Sequence, residues 1–444
     1  MNFICLGMDV AYSKDDEMEF SSDESDLEQE DDTGFEGVSR KASQWSQSSI
    51  NRSLNSTGIH NLPPELIFEI LGYINVKTLM SVVRFVSRYF SDLLNSPEFW
   101  EMRLAGCLTC PDDLDGLKVS DSELQQMHLV GLPQAVYEME SAKSLQHNSS
   151  VKKYTMSTNH YGDVHCVKIL SNPAKQIAVS GSRDKTICVY DLDCIDSQEK
   201  CIINTNTDHN GWIWTLDQED GQSSKIASGS WDSYIHFYDI GRGGLEKISD
   251  LSVHSAILCT RFEKNCLLYG TYSKFVAGYD TRSGNVAFKL KNHTKPVLSV
   301  AASPNYIWSS GEDNALVCHD RRMNKLFKRM RMERISSSIK FIEPYLWVAG
   351  YDGFIKCFNQ DMKTLKKYDT GHRQPIMDMS HNMGATVTAC KDGVVKLFSP
   401  NISPVLWNSF TLDNSASCVD YKDGTLMVGC CASSVLFWKN VNLE

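Results

Sequence analysis

No stretch of this 444-residue chain approaches the ~20 consecutive apolar residues that cross a bilayer, so a helical membrane span is not expected. The first eight residues are briefly apolar, but they lack a basic leader and a long hydrophobic segment, which argues against a secretory signal. Motifs of catalysis are missing too. There is no Gly-rich phosphate loop, zinc-protease motif or nucleophile elbow, so no catalytic residue, cofactor or metal site is expected. Cysteine, by contrast, is plentiful. Its fifteen copies are odd in number and scattered singly through strand-like sequence, which points to reduced thiols in cytoplasm, nucleus or both. Sequons such as the one at Asn55 then carry no glycan.

The net charge of −11 is concentrated at one end. Residues 9–36 hold thirteen of the 55 acids with the single base Lys14, and carry −12. The remainder is nearly neutral, so neither a nucleic-acid stripe nor a basic membrane face follows from overall charge. Residues 1–58 are acidic and then rich in Ser, Asn and Gln. They hold too few large apolar residues to offset chain entropy, and disorder is expected. Ser21, Ser25 and Ser43 sit in short kinase-like contexts, which are common in any Ser-rich tail.

Residues 59–104 read as three short helices. Leu62-Pro63-Pro64-Glu65 opens the first, with Pro where no donor is lost and an acid near the positive helix end. Its apolar residues are Leu66, Ile67, Ile70, Leu71 and Ile74. Thr78 is expected to cap a second helix carrying Leu79, Val82, Val83, Val86, Phe90 and Leu93, and Ser96-Pro97 starts a third with Phe99, Trp100 and Leu104. This order and spacing, ending in Pro97-Glu98-Phe99-Trp100, resembles an F-box over nearly its whole length. The resemblance implies docking onto the Skp adaptor of a cullin–RING ubiquitin ligase, with Leu62, Pro63, Leu66, Ile70 and Leu71 as adaptor-binding residues. Residues 105–150 read as a helical connector, with a capping box at Ser120 and Glu123 and a helix from Pro133 through Leu145. The lone Cys107-x-x-Cys110 has no second pair at zinc-ribbon spacing.

From residue 151 the chain repeats. One register closes at Asp191, Asp239, Asp280, Asp320, Asn359, Ser399 and Lys439, seven copies about 40 residues apart. The longer first interval holds an insertion near Asp193 to Asn206. Within a copy a His (His160, His209, His254, His293, His372) precedes a short strand. A small-residue turn then ends in Asp (Asp184, Asp232, Asp313, Asp352, Asp392), and an aromatic or His sits before the closing position. This resembles the WD-repeat family, although the closing pair is never Trp-Asp. Copy 3 has Ser273 for the turn Asp, copy 5 lacks the His, and copy 7 lacks both. The resemblance implies four-stranded blades with the His and Asp hydrogen-bonded inside each. Residues from Lys152 can supply the strand missing after Trp438, which closes a seven-bladed ring over residues 151–444. The basic run Lys325 to Arg334 reads as a solvated outer rim.

The expected fold is therefore a small all-α F-box module followed by an all-β seven-bladed propeller, preceded by a disordered acidic tail. In WD propellers the residue before the turn Asp lies on the face bearing the central opening. Here those residues are Arg183, Trp231, Tyr272, Glu312, Tyr351, Lys391 and Cys431, with Trp212, Lys295, Arg334 and Arg373 reaching the same face. Aromatics and cations dominate contact energetics, so Arg183, Trp212, Trp231, Tyr272, Tyr351, Arg373 and Lys391 form the candidate substrate-binding face. The two resemblances together imply a non-catalytic substrate receptor whose partners are the Skp adaptor, through it a cullin and a RING protein, and a protein target, without nucleic acid or membrane. The alternative is a propeller scaffold with no role in ubiquitin transfer.

Overall fold

The computed structural model describes residues 62–108, 131–146 and 151–440, apart from 157–159, 171–174, 197–200, 220–222 and 242–243. The acidic tail with Ser21, Ser25 and Ser43, the Ser120–Glu123 capping box and Cys110 lie outside the described residues. The chain parts into two compact units, one ending at Ile70 and the other running from Leu71 to Glu444.

Helix α1 spans Pro64–Gly72 and begins with Glu65 in its first turn. The second apolar stripe does not form one helix. Asn75, not Thr78, caps α2 (Val76–Thr78), its side-chain oxygen accepting from the Thr78 amide at 2.7 Å. A π-helical turn at Leu79–Val83 follows, then α3 (Arg84–Val86). Ser87 breaks the run in extended conformation, and its hydroxyl accepts from the Phe90 amide to cap α4 (Arg88–Asn95). The break rotates the stripe: Phe90, Leu93 and Leu94 are buried, whereas Val82 and Val86 are exposed. In α5 (Pro97–Leu108) Phe99, Trp100 and Leu104 are buried, and the Trp100 indole donates to the Leu94 carbonyl at 2.8 Å.

The expected connector helix is present as α6, Leu132–Ser144. It is tied in two directions. Arg103 of α5 pairs with Glu140 of α6, donating at 2.9 Å from one nitrogen, and also donates to the carbonyls of Leu71 and Ile74 at 3.2 and 2.7 Å. Lys143 reaches the Gly106 and Cys107 carbonyls at the end of α5. On the other side α6 meets the propeller. Ala142 and Leu145 join an apolar cluster with Val387, Val419, Leu426 and Trp438, and the Asn408 amide donates to the Leu145 carbonyl at 2.6 Å. A Cβ added at Gly384 would stand 2.7 Å from the Glu138 carbonyl, so glycine there permits the close seat.

The propeller has seven four-stranded antiparallel sheets. Six use consecutive strands. The seventh borrows β1 (Val151–Met156), which pairs residue for residue with β28 (Val435–Asn440), from Val151 with Asn440 to Met156 with Val435. Seven apolar clusters fill the seven gaps between neighbouring blades. Glycine at 181, 229, 270 and 429 lets each blade approach the next, since an added Cβ would lie within 2.7 Å of Ile213, Ile257, Val297 or Val164.

Each blade's turn is held by the residues the repeat supplies. His160, His209 and His293 bond through Nδ1 to Asp184, Asp232 and Asp313 at 2.8 to 3.0 Å, and through Nε2 to Ser180, Ser228 and Ser309. His372 bonds Thr388 at 2.8 Å and stands 3.5 Å from Asp392. The expectation fails at His254, which is exposed with φ of 58°, because Ser273 offers no carboxylate to hold it inward. Copy 5, without a His, has a substitute: the buried Lys356 ammonium lies 2.6 Å from Asp352. In every blade the position after the turn Asp or its replacement is left-handed, at Lys185, Ser233, Lys274, Asn314, Gly353, Gly393 and Ser433. Only two of these are glycine, and for the others that backbone costs about 1–2 kcal/mol. Where the Asp is present its carboxylate offsets the cost by accepting from the amide two residues on, as Asp184 does from Thr186 and Asp232 from Tyr234.

Two consequences can be measured. Replacing Arg103 with Met leaves the part-buried Glu140 and two carbonyls without this partner, a loss of about 1–3 kcal/mol; a lowered melting temperature and earlier proteolysis between α5 and α6 are expected. His160 is pulled down by burial but raised further by its Asp184 bond, to about 9. Its contribution is therefore complete below the unfolded value of about 6.5 and is lost as pH rises through about 9. Between pH 7 and pH 10 the melting temperature of the unaltered protein should fall more steeply than that of His160→Gln.

A candidate protein-binding face

The seven residues before the turn Asp occupy equivalent places, as one hydrogen bond demonstrates. The amides of Arg183, Trp231, Tyr272, Glu312, Tyr351, Lys391 and Cys431 donate to the carbonyls of Asp163, Trp212, Ala256, Pro296, Ile335, Pro375 and Ser415 at 2.8 to 3.1 Å. Each acceptor is the residue just before its blade's innermost strand. The turn residues and the loops entering those strands therefore share one face of the ring.

That face has unlike halves. Over blades 1 to 3 the rings gather. Trp231 stands 5.7 Å from Trp212, 5.9 Å from Trp214 and 5.7 Å from Tyr272, and Trp214 lies 4.3 Å from His165. The Arg183 guanidinium sits 4.3 Å over Trp212, 3.7 Å from Asp163 and 41% exposed at its side chain. Over blades 5 and 6, Arg334, Arg373 and Lys391 are exposed, and Tyr351 is half-buried. Lys295 of blade 4 is exposed beside Glu312, whose carboxyl is raised by burial against the lowering effect of Lys295. Arg183, Trp212, Trp231 and Tyr272 are thus brought together, whereas Tyr351, Arg373 and Lys391 form a separate arc.

Trp214 and His165 were not among the sequence candidates. Every innermost strand carries a bulge between its first and third residues, for example Val164/Cys166 and Ile213/Thr215. A bulge re-aims the residue inside it, and simple two-residue alternation does not disclose one. The signal available was positional: His165 and Trp214 both follow the first apolar residue of the strand, in the same register as Leu258, Leu298, Ser337, Met377 and Ser417.

Below the mouth runs a ring of strand positions occupied by Lys168, Asp217, Arg261, Ala301, Lys340, Ser380 and Asp420. Lys168 lies 2.9 Å from Asp217, and Asp217 accepts from the Phe262 amide at 2.7 Å. Asp420 accepts from the Ile169 amide at 2.9 Å, so carboxylates of one blade bond the backbone of the next and stiffen the platform. Among the described residues two His/Cys/Asp groups have ligand-like spacing, His209–Asp232–His236 and His372–Cys390–Asp392. Part of each set is engaged in blade bonds: His209 spends both nitrogens on Asp232 and Ser228, and the Cys390 thiol bonds the Gln374 carbonyl at 3.1 Å, whereas His236 Nδ1 and His372 Nδ1 are buried without a hydrogen bond.

In the helical module, Leu62, Leu66 and Ile70 are exposed at 37%, 47% and 42%. Leu71 is 3% exposed, so it serves the interior and is not available for contact. The surface residues that sequence reasoning missed are Val82, Phe85 and Val86, at 56%, 78% and 66%. They became visible only because Ser87 ends their helix.

One prediction belongs to the ring cluster. Burial first, and then the Arg183 charge, depress the His165 imidazole to about 4. In Arg183→Gln its titration midpoint, followed by NMR, should move upward while remaining below that of a free histidine.

Comparison with known proteins follows the same division. An F-box-like family profile matches residues 59–103, and the WD domain, G-beta repeat profile matches residues 150–191 and 200–239. The human F-box/WD repeat-containing protein 9 is 26% identical over 412 residues, covering 90% of this chain and 87% of that protein. Its bovine counterpart is 27% identical over 78% of this chain and 75% of that protein. The F-box/WD repeat-containing protein mec-15 of Caenorhabditis elegans is 27% identical over 60% of this chain and 66% of that protein. With an F-box-like helical module, WD repeats and a closed seven-bladed propeller in one polypeptide, this chain is similar to the F-box/WD-repeat proteins in both modules and in their order.

Proposed function

We propose that this chain is the non-catalytic substrate-recognition subunit of a Skp–cullin–F-box ubiquitin ligase. The observation that carries the reading is the exposed apolar side chains of the helical module. Val82, Phe85 and Val86 recur at three- and four-residue steps on one side of a short helical stretch, and Leu62, Leu66 and Ile70 recur at four-residue steps from just before α1 into it. Exposed apolar side chains grouped on a helical stretch mark an interaction site. These are the positions at which an adaptor would bind, with Pro63 setting the entry of α1 and Leu71 supporting it from inside.

The propeller would hold the target on the face built around Arg183, Trp212, Trp231 and Tyr272, with Tyr351, Arg373 and Lys391 across the opening. Holding a target beside a bound ligase raises effective concentration. Chemistry would belong to partners, in cytoplasm, nucleus or both. The stiffness that this arrangement needs is present within the second unit, where Arg103, Glu140 and Asn408 link α5, α6 and blade 6.

Co-purification from cells provides the test. The unaltered chain should bring down the Skp adaptor and a cullin, whereas Leu66→Ala/Ile70→Ala and Phe85→Ala/Val86→Ala should each weaken adaptor binding about tenfold or more, as loss of central apolar anchors does. Propeller partners should remain with both variants. If the unaltered chain brings down no adaptor, the scaffold reading replaces this one.

A further inference from the structure

The two halves of the propeller face differ in chemistry, and the difference specifies a class of ligand. On blades 1 to 3, Trp231 is surrounded by Trp212, Trp214 and Tyr272, with Tyr272 itself 47% exposed. The Trp231 indole N–H and the His165 Nε2 are covered and meet no hydrogen-bond partner among the described residues. An unmet buried donor or acceptor is costly. The cluster therefore gains from a ligand that offers a backbone carbonyl to one and an amide to the other. On blades 5 and 6, Arg334, Arg373 and Lys391 stand exposed, and none of the described ion pairs engages them, although neighbouring Lys356 and Lys367 are paired with Glu333.

A cation is a poor guest for the rings, because Arg183 already occupies the face of Trp212 and its charge extends to His165. A bulky uncharged side chain fits them. The arc opposite offers one positive charge on blade 5 and two on blade 6, which suits carboxylates placed close together along a chain.

We propose that the propeller face selects an extended peptide segment with two unlike ends, and that this segment needs no phosphorylation. An aromatic or large aliphatic side chain packs onto Trp231 and Tyr272, and aspartates or glutamates a few residues along the chain meet Arg334, Arg373 and Lys391. Arg183 marks the border between the halves and fixes the direction in which the segment lies. This specificity rests on the receptor reading above, but its test does not depend on adaptor binding.

The probe is a fluorescein-labelled peptide of about ten residues, long enough at ~3.3 Å per residue to cross a propeller mouth. It carries one Phe near one end and three Asp near the other. Anisotropy is measured on the full-length chain against four companions: Phe→Ala, all Asp→Asn, both changes together, and a peptide with phosphoserine in place of one Asp. The parent peptide should bind, and each single change should weaken it about tenfold. Trp231→Ala and Tyr272→Ala should erase the effect of Phe→Ala, while Arg373→Ala/Lys391→Ala should erase the effect of Asp→Asn and flatten the salt dependence. Tyr272 is half-exposed, so its variant keeps the test valid should Trp231→Ala fail to fold.

The inference is overturned if all the peptides bind alike, or if the losses do not sort by protein variant. It is equally overturned if phosphoserine tightens binding more than tenfold irrespective of Phe, because the cationic arc would then be the whole site. A single-stranded oligonucleotide that displaces the parent peptide at lower concentration than unlabelled peptide would assign the rings to bases instead. Failure here with the adaptor still co-purifying removes this specificity and leaves the receptor reading. The sorted pattern without adaptor binding does the reverse.

Discussion

The pairing of Val151–Met156 with Val435–Asn440 is the constraint on which the propeller depends. A blade lacking its outer strand would expose a row of unpaired backbone groups at the one place where the ring could open. Here the outermost strand of the last blade comes from the start of the repeat region, so the circle is closed by main-chain hydrogen bonds. The apolar cluster at the seam reinforces it: Val164, Val167 and Ile169 from the first blade pack with Met156, Met427, Val435 and Phe437 from the last. Asp420 adds a third link by accepting from the Ile169 amide.

Closure also explains how the repeats tolerate defects. Copy 3 lost its turn carboxylate and released His254 to solvent, yet Ser255 still accepts from the Ser273 amide at 3.0 Å and holds the turn. Copy 5 lost its His and recruited Lys356. In a closed ring each blade is gripped by two neighbours, so a weakened turn in one is supported by the packing of the next. Every blade keeps what closure requires, a first strand that packs on the preceding blade and a turn that returns the chain to the binding face.

The helical module gains its rigidity by a different route. A run of short helices of this size buries little apolar surface on its own. Arg103 compensates by satisfying two helix-end carbonyls and an acid at once, and α6 passes the attachment on to blades 6 and 7 through Leu145 and Asn408. Three of these hydrogen bonds run from a side chain to a backbone carbonyl, which fixes position more tightly than apolar packing alone. A target held on the propeller would thereby keep a defined distance from whatever binds α3.

Much of this was legible in the residues. The F-box-like order around Leu62-Pro63 and Phe99-Trp100, the 40-residue period and the donated strand all follow from local pattern and spacing. So do the equivalent positions of Arg183, Trp231, Tyr272 and Lys391, since a repeat carries register information within itself. What spacing could not decide depends on contacts between residues distant in sequence. Ser87 interrupts an apolar stripe that reads as one helix, and only the resulting packing separates buried Phe90 from exposed Phe85. The bulges that turn His165 and Trp214 toward the opening arise from pairing with a second strand. The sequence by itself determined which modules form and in what order; tertiary structure decided which side chains face solvent, because burial is a property of the neighbours that each surface meets.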